Sequence, residues 1–488
     1  MSTLCAILAC VAATAQDITI TSPGPVSGWS RFRGPNGAGR LDAGGLPTAL
    51  DPAQNLRWRT PLPKGHSSPV LWQDRVYLTA LDGDALCTLC LDADTGRLLW
   101  RRVAPRPRRD ELDGRNHPAS PTPAVDAAGV VVFFPEFGVL AYDHAAEERW
   151  RVPLGPFVND YGMGASPILA EGLVLLACDQ ARGSYLIAID DTTGVERWRA
   201  ARPEARSGHC TPILGDAITA GTERRRATAL LPGSFLLTAY DVATGLKVWA
   251  APGLSFEMKS VPIFAGERVL INGYGSPLNQ PGNQIQVPEF RAVLETNDAD
   301  GDRTISQNEM PASRASSWFP SIDLDRNGEL DEAEWEFLQL ALGSQNGLLA
   351  FGLAGTAPGA EPELVWAYRK PVPQLPSLLY DDEVVYMLAD SGGILTVIDP
   401  SDGRSLANVR IKDAVDTFYA SPVMSADSLY LVSEHGLAVV LPRWRESQEL
   451  TPRAVVDLGE DVYATPALAP GRVYVRTTEA LYCFEAKG

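Results

Sequence analysis

Adjacent cysteines, long apolar runs, basic clusters and the short motifs of common enzyme classes are all missing from this 488-residue sequence. None of the seven cysteines neighbours another. Cys5 and Cys10 fall near the start, and the other five (Cys87, Cys90, Cys178, Cys210 and Cys483) are an odd number that forms no disulfide framework. Cys87 and Cys90 read as CxxC, but positions three apart on a strand face opposite ways, so core packing is expected rather than a redox or metal site. Beyond the N-terminus no segment holds the ~18 consecutive apolar residues that span a bilayer, so no transmembrane segment is expected there. A formal charge of −18, with no Lys/Arg cluster, excludes nucleic acid as a partner. No Walker loop, nucleophile elbow, HExxH or dinucleotide fingerprint occurs, which leaves hydrolase and kinase readings without a motif.

The first residues, MSTLCAILACVAATAQ, are small and apolar and end in an AxA pattern, Ala13-Thr14-Ala15. Residues 1–15 read as a signal peptide, which places the chain outside the cytoplasm, periplasmic or extracellular. With 45% apolar residues, 43 Gly and 38 Pro, the remainder is expected to fold with many turns.

One unit recurs along the chain about every 40 to 50 residues, the spacing of propeller blades. Its first half opens with a small residue and proline: HSSPV at 66, ASPTP at 119, ASPIL at 165, CTPIL at 210, SVPIF at 260, LPSLL at 375, ASPVM at 420 and ATPAL at 464. A polar turn and an apolar run such as RVYLTA or GLVLLAC follow each, rich in residues that suit strands. The second half pairs an apolar strand with a DxxTG turn and a strand ending near tryptophan, clearest at Trp100, Trp198 and Trp249 and weaker at Trp150 and Trp366. Asp and Thr bond the turn backbone and Gly supplies positive φ, while the tryptophan is expected to pack between blades. The eighth copy, ALYCFEAKG, stops before its last strand, and NLRWRTPLP near the start is an orphan last strand containing Trp58. Joining the two closes the ring and removes an exposed sheet edge.

These DxxTGxxxW units resemble those of the PQQ-like β-propeller superfamily, which includes quinoprotein alcohol dehydrogenases and the barrel-assembly lipoprotein of the bacterial outer membrane. The opening segment WSRFRGPNGAG, with GHSSPV after it, is similar to exported bacterial PQQ-like repeat proteins. The resemblance implies an all-β fold: an eight-bladed β-propeller of four-stranded antiparallel blades, with a small α-helical insertion. The propeller is expected over 27–286 and 343–488, closed by the strand near 56–61.

Residues 287–342 break the β pattern and read as an EF-hand pair. DLDRNGELDEAE offers calcium oxygen ligands at Asp323, Asp325, Asn327, Glu329 (through its carbonyl), Asp331 and a bidentate Glu334, with Gly328 at the bend. DADGDRTISQNE offers Asp298, Asp300, Asp302, Thr304, Ser306 and Glu309, but Arg303 stands where the bend wants glycine, and weaker binding is expected there. From Glu295 to Glu336 twelve acidic residues face three basic ones, a net −9 that is half of the chain's charge.

Two functions fit this organisation. One is an exported calcium-binding scaffold that binds a protein or small-molecule ligand at a propeller face. The other is a quinoprotein-like oxidoreductase holding PQQ and calcium in the central channel, against a Trp floor and beside a catalytic Asp. The adjacent Cys pair of many quinoprotein dehydrogenases is absent, and no catalytic Asp is matched, so motifs do not support PQQ. Of only five histidines, His66, His117 and His209 stand at or just before an inner-strand start, where a propeller converges on its channel mouth. Tyr161, Glu257, Lys259, Tyr419 and Tyr463 hold comparable places, so a ring able to hold a ligand or metal is expected.

Overall fold

The computed structural model describes residues 18–22, 28–219, 225–355, 360–445 and 449–486. The segment read as a signal peptide, residues 1–15, lies outside them. Eight antiparallel sheets of the propeller type follow one another along the chain. We number them as blades one to eight from the inner strands Val70–Trp72, Ala124–Asp126, Ile168–Ala170, Ile213–Thr219, Ile263–Ala265, Leu379–Tyr380, Val423–Met424 and Ala467–Ala469. Blade eight takes its fourth strand from Leu56–Pro61, which pairs with Ala480–Glu485 in the register Trp58↔Cys483 and Thr60↔Leu481. The expected eight-bladed ring and its closure by the Trp58 strand are both present.

The repeated motif explains how neighbouring blades hold together. In blade three, Asp190 Oδ1 accepts from Thr192 N, Thr193 N and Thr193 Oγ1, which fixes the turn, and Gly194 follows at φ 73°. The indole of Trp150, from blade two, lies against that glycine, where a Cβ would approach within 2.9 Å, and its Nε1 donates to Asp191 O. The same latch recurs from Trp58 to Ala93 O, Trp100 to His144 O, Trp198 to Val242 O and Trp366 to Pro400 O. The tryptophan of each pair therefore packs on the turn of the next blade; glycine gives that turn its positive φ and room for the indole in four of the pairs, while under Trp100 the position is Ala146, at φ 72°. Cys87 and Cys90 are free and buried, and they join different core clusters on opposite faces of one strand.

Two features of the N-terminal segment extend the expected fold. Ile18–Thr21 adds a fifth, antiparallel strand to blade four beside Asp216–Thr219. Residues 29–41 then cross the end of the channel that carries the DxxTG turns, hydrogen-bonding to inner strands at Leu71, Val125, Leu214 and Met424. Arg31 donates to Pro212 O, and Arg33 donates to Leu378 O at 2.6 Å. This segment plugs one end of the channel and leaves the other, where the inner strands start, as its mouth.

Blade five carries the insert between its second strand, Arg268–Gly273, and its third, Gly347–Gly352. Three helices lie within it: α1 (Phe290–Asn297), α2 (Phe319–Ile322) and α3 (Glu332–Gly343). They enclose a small core around Phe290, Val293, Ile322, Trp335 and Leu338. The insert leaves from the mouth face and packs there, with Trp318 against Phe256 (5.2 Å between ring centres) and Phe337 against Phe235 (5.7 Å).

Candidate functional site

The channel mouth is built on a belt of hydroxyls. The residue that opens each inner strand is Ser68, Thr122, Ser166, Thr211, Val261, Ser377, Ser421 or Thr465, in blade order. Seven backbone N–H groups of this belt donate to the hydroxyl of the next blade at 2.9–3.1 Å, from Ser68 N to Thr122 Oγ1 round to Thr465 N to Ser68 Oγ. Val261 offers no hydroxyl to Thr211, and the circle is broken there. The serine or threonine before seven of the eight inner strands thus has a structural use that the small-residue-plus-proline pattern only hinted at.

Two residues before each belt position stands a second ring: His66, Ser120, Gly164, His209, Lys259, Leu375, Tyr419 and Tyr463. All eight line a cavity of about 210 Å³ whose lining also includes Phe32 from the plug, six belt hydroxyls, and Asp113, Arg115, Asn116 and Tyr161. His66 stacks on Tyr463 (4.1 Å) and Tyr463 on Tyr419 (5.8 Å), while Tyr161 meets His209 edge-on (6.1 Å). Lys259 pairs with Glu257 at 2.8 Å and Arg115 with Asp113 at 2.7 Å, and both cations lie near the Tyr161 ring. The carboxylate of Glu257, before burial, raises the Tyr161 phenol.

Of the three histidines, His66 and His209 line the cavity and His117 does not. The anchor of its unit is Thr122-Pro123 and not Ser120-Pro121, which puts Ser120 in the ring. His117 lies 5.0 Å from His66, and its Nδ1 accepts from Ala119 N. Burial pushes all three imidazoles down, His66 and His209 to about 3 and His117 to about 4, with lesser contributions from His117 and Arg476 at His66, Lys259 and Arg115 at His209, and Arg476 and Arg106 at His117. His66 Nδ1 and His209 Nε2 are buried without a protein partner. Among the described residues, groups of three metal-ligating His, Cys, Asp or Glu atoms within 4.8 Å of one another occur only in the acidic insert.

In the insert those groups are Asp298, Asp300 and Asp302, and Asp323, Asp325 and Glu334. Each loop bends at the sixth position with positive φ, 86° at Gly328 and 71° at Arg303, so the arginine does adopt the conformation that favours glycine. The loops pair through Ile305↔Leu330 and Ser306↔Glu329, both apolar members fully buried. Thr304 Oγ1 donates to Asp302, and Ser306 Oγ to Glu309. Asn327 Oδ1 accepts from Glu329 N, and Asp331 and Glu334 form a reciprocal cap that starts α3. This donor set, all oxygen and clustered about two centres, fits a hard divalent cation. One contact lay beyond sequence reasoning: Arg182, in a turn of blade three, reaches Glu334 at 2.6 Å, Asp331 at 3.1 Å and Asp325 at 3.5 Å. Arg326 bonds Asp160 at 3.4 Å, next to the cavity residue Tyr161.

The family model described as outer membrane protein assembly factor BamB matches residues 41–151, 88–252 and 233–488. The chain belongs to this family. No curated protein matches it. Among solved structures it is similar to BamB from Moraxella catarrhalis, at 11% identity and a TM-score of 0.50, covering 88% of this chain and 100% of that one. It is also similar to the computationally designed Ika8 protein, at 11% and 0.53, covering 88% and 99%. A europium-containing methanol dehydrogenase aligns at 10% and 0.47, covering 94% and 98%. At these identities the likeness is one of fold. No helix among the described residues of this BamB-family propeller is long and apolar enough to cross a membrane.

The residues of the mouth do not fit a quinone of the kind the resemblance implies. The floor is Phe32 rather than tryptophan, and Asp113, the acid in the lining, is already paired with Arg115.

Proposed function

We propose that this chain is an exported, calcium-binding member of the family that acts as a binding or assembly scaffold through its mouth face. The observation that carries the reading is the position of the acidic insert. Its second oxygen-rich loop meets the mouth face through Arg182 and Asp160, and Trp318 and Tyr161 share a second cavity of about 250 Å³ beside the axial one. Calcium would be held by Asp323, Asp325, Asn327, the Glu329 carbonyl, Asp331 and Glu334, and more weakly by Asp298, Asp300, Asp302, Thr304, Ser306 and Glu309. The ion supplies positive charge that orders both loops, and the protein's part is to hold the carboxylates together and tie them to blades three to five. A scaffold fits the chemistry better than an oxidoreductase, because the mouth has a donor-rich lining and no free carboxylate to take a substrate proton.

Calorimetry on the full chain tests this. Calcium is expected to bind with Kd of about 10⁻⁵ to 10⁻³ M, and Glu334→Gln to abolish the tighter phase. No heat of binding in either form would remove the calcium reading. A quinone absorbance acquired from PQQ with calcium would favour the oxidoreductase instead.

A further inference from the structure

The belt hydroxyls share an unspent hydrogen. Each of the seven oxygens accepts a backbone N–H, yet none of the seven hydroxyls donates to an acceptor among the described residues. All are almost fully buried, at 2–3% exposure, and six line the axial cavity above Phe32. A buried O–H is stabilised only when it meets an acceptor, so this ring calls for a ligand rich in lone pairs.

One cation near the cavity lacks a carboxylate. Lys259 and Arg115, which line it, are paired with Glu257 and Asp113. Behind His66 lies Arg476, 1% exposed and bound only to Ser67, Thr79 and Pro63 oxygens, with no carboxylate partner among the described residues. A buried guanidinium that meets only carbonyls and a hydroxyl has no opposite charge to compensate its own. The buried ring nitrogens His66 Nδ1 and His209 Nε2 add two more unpartnered groups at the level above the belt.

We propose that the axial cavity is a receptor for a small oxyanion, a ligand carrying a carboxylate or phosphate group that enters from the mouth. Its oxygens accept from the belt hydroxyls, with Arg476 behind His66 as the uncompensated positive charge, the ion-paired Lys259 and Arg115 as further donors in the lining, and Phe32 closing the bottom. The plug makes the cavity blind, so depth selects compact anions over long chains. The proposal rests on the mouth as the binding face and not on calcium.

The test uses the full chain, with and without calcium, titrated with inorganic phosphate, sulfate, acetate and malonate, and with glucose and glycerol as neutral polyols. At least one anion is expected to raise the melting temperature and to shift the ring signals of His66 and His209 in NMR spectra, whereas the polyols do neither. Lys259→Met and Arg115→Met, checked for fold by circular dichroism, should each weaken that anion about tenfold or more, the size expected for losing a charged hydrogen-bond donor. Phosphate against malonate decides which oxyanion class is preferred. Polyols binding as well as every anion, histidine signals unmoved by all four anions, or both variants binding like wild type would each overturn the receptor. Loss of calcium binding with anion binding intact would instead strike only the calcium reading.

Discussion

The guanidinium of Arg182 lies 2.6 Å from Glu334 Oε1, so a turn of blade three reaches into the last position of the second acidic loop. Glu334 is 1% exposed and Arg182 is 40% exposed, and the pair joins two elements far apart in sequence.

If that loop binds calcium, the guanidinium competes with the ion for the same oxygens. Removing it by Arg182→Ala is expected to tighten calcium binding by a factor of about 2–5, the modest value of a half-exposed ion pair. Calorimetry reads the change directly. Unchanged or weaker binding in the variant would show that Arg182 is not a competitor.

Two glycines separate backbone strain from crowding. Gly172 has φ 76° and open space around its missing Cβ, whereas Gly194 has φ 73° and the Trp150 ring 2.9 Å away. Gly172→Ala should cost about 1 kcal/mol through strain alone. Gly194→Ala should cost about 1 kcal/mol more, since the indole must shift to make room for the Cβ, as Trp100 does over Ala146, where its bond to His144 O is 3.3 Å. Urea unfolding midpoints compare the two, and equal losses would mean that the tryptophan latch contributes nothing.

Acid should act on the mouth with a definite sign. The folded pKa values of His66 and His209, about 3, lie below the ordinary 6.5, so the unfolded chain takes up protons first as pH falls. Their contribution to stability is complete above the unfolded value and is lost between about pH 6.5 and 3, at up to ~1.4 kcal/mol per pH unit for each ring. His435 differs: its bond to Asp416 raises its pKa, and it is exposed. In an NMR titration the His435 ring should therefore titrate first, and those of His66 and His209 only near unfolding. Midpoints near 6.5 for the two mouth residues would contradict their burial.

Much of this was legible in the sequence because repetition turns weak signals into a pattern. Eight short strands between turn residues, a tryptophan beside each clear DxxTG and an unmatched strand at each end left few other ways to bury the apolar faces. Spacing likewise marked the acidic loops and the strained Arg303. What stayed hidden depended on partners distant in sequence. ITIT at 18–21 is too short to announce pairing with residues near 218, and nothing in WSRFRGPNGAG says that it crosses the axis. His117 illustrates the limit of register: with Ser-Pro and Thr-Pro two residues apart, only hydrogen bonds to neighbouring blades show that Thr122 is the anchor.

The gap in the belt makes the sharpest test of that anchor. Thr211 N faces blade five, where Val261, 1% exposed, has a methyl in place of the hydroxyl that every other blade supplies. Val261→Thr keeps the shape and offers Thr211 the missing acceptor, and it should stabilise the fold by about 1 kcal/mol, the net value of one hydrogen bond. Thr465→Val does the reverse, stranding the buried Ser421 N–H that now bonds Thr465 Oγ1 at 3.1 Å, and should cost about 1–3 kcal/mol. The two changes exchange the same atoms in opposite directions, so packing differences largely cancel between them. Thermal unfolding of both variants measures the contrast. If Val261→Thr destabilises as much as Thr465→Val, the added hydroxyl has found no partner and the belt owes its stability to packing rather than to its ring of hydrogen bonds.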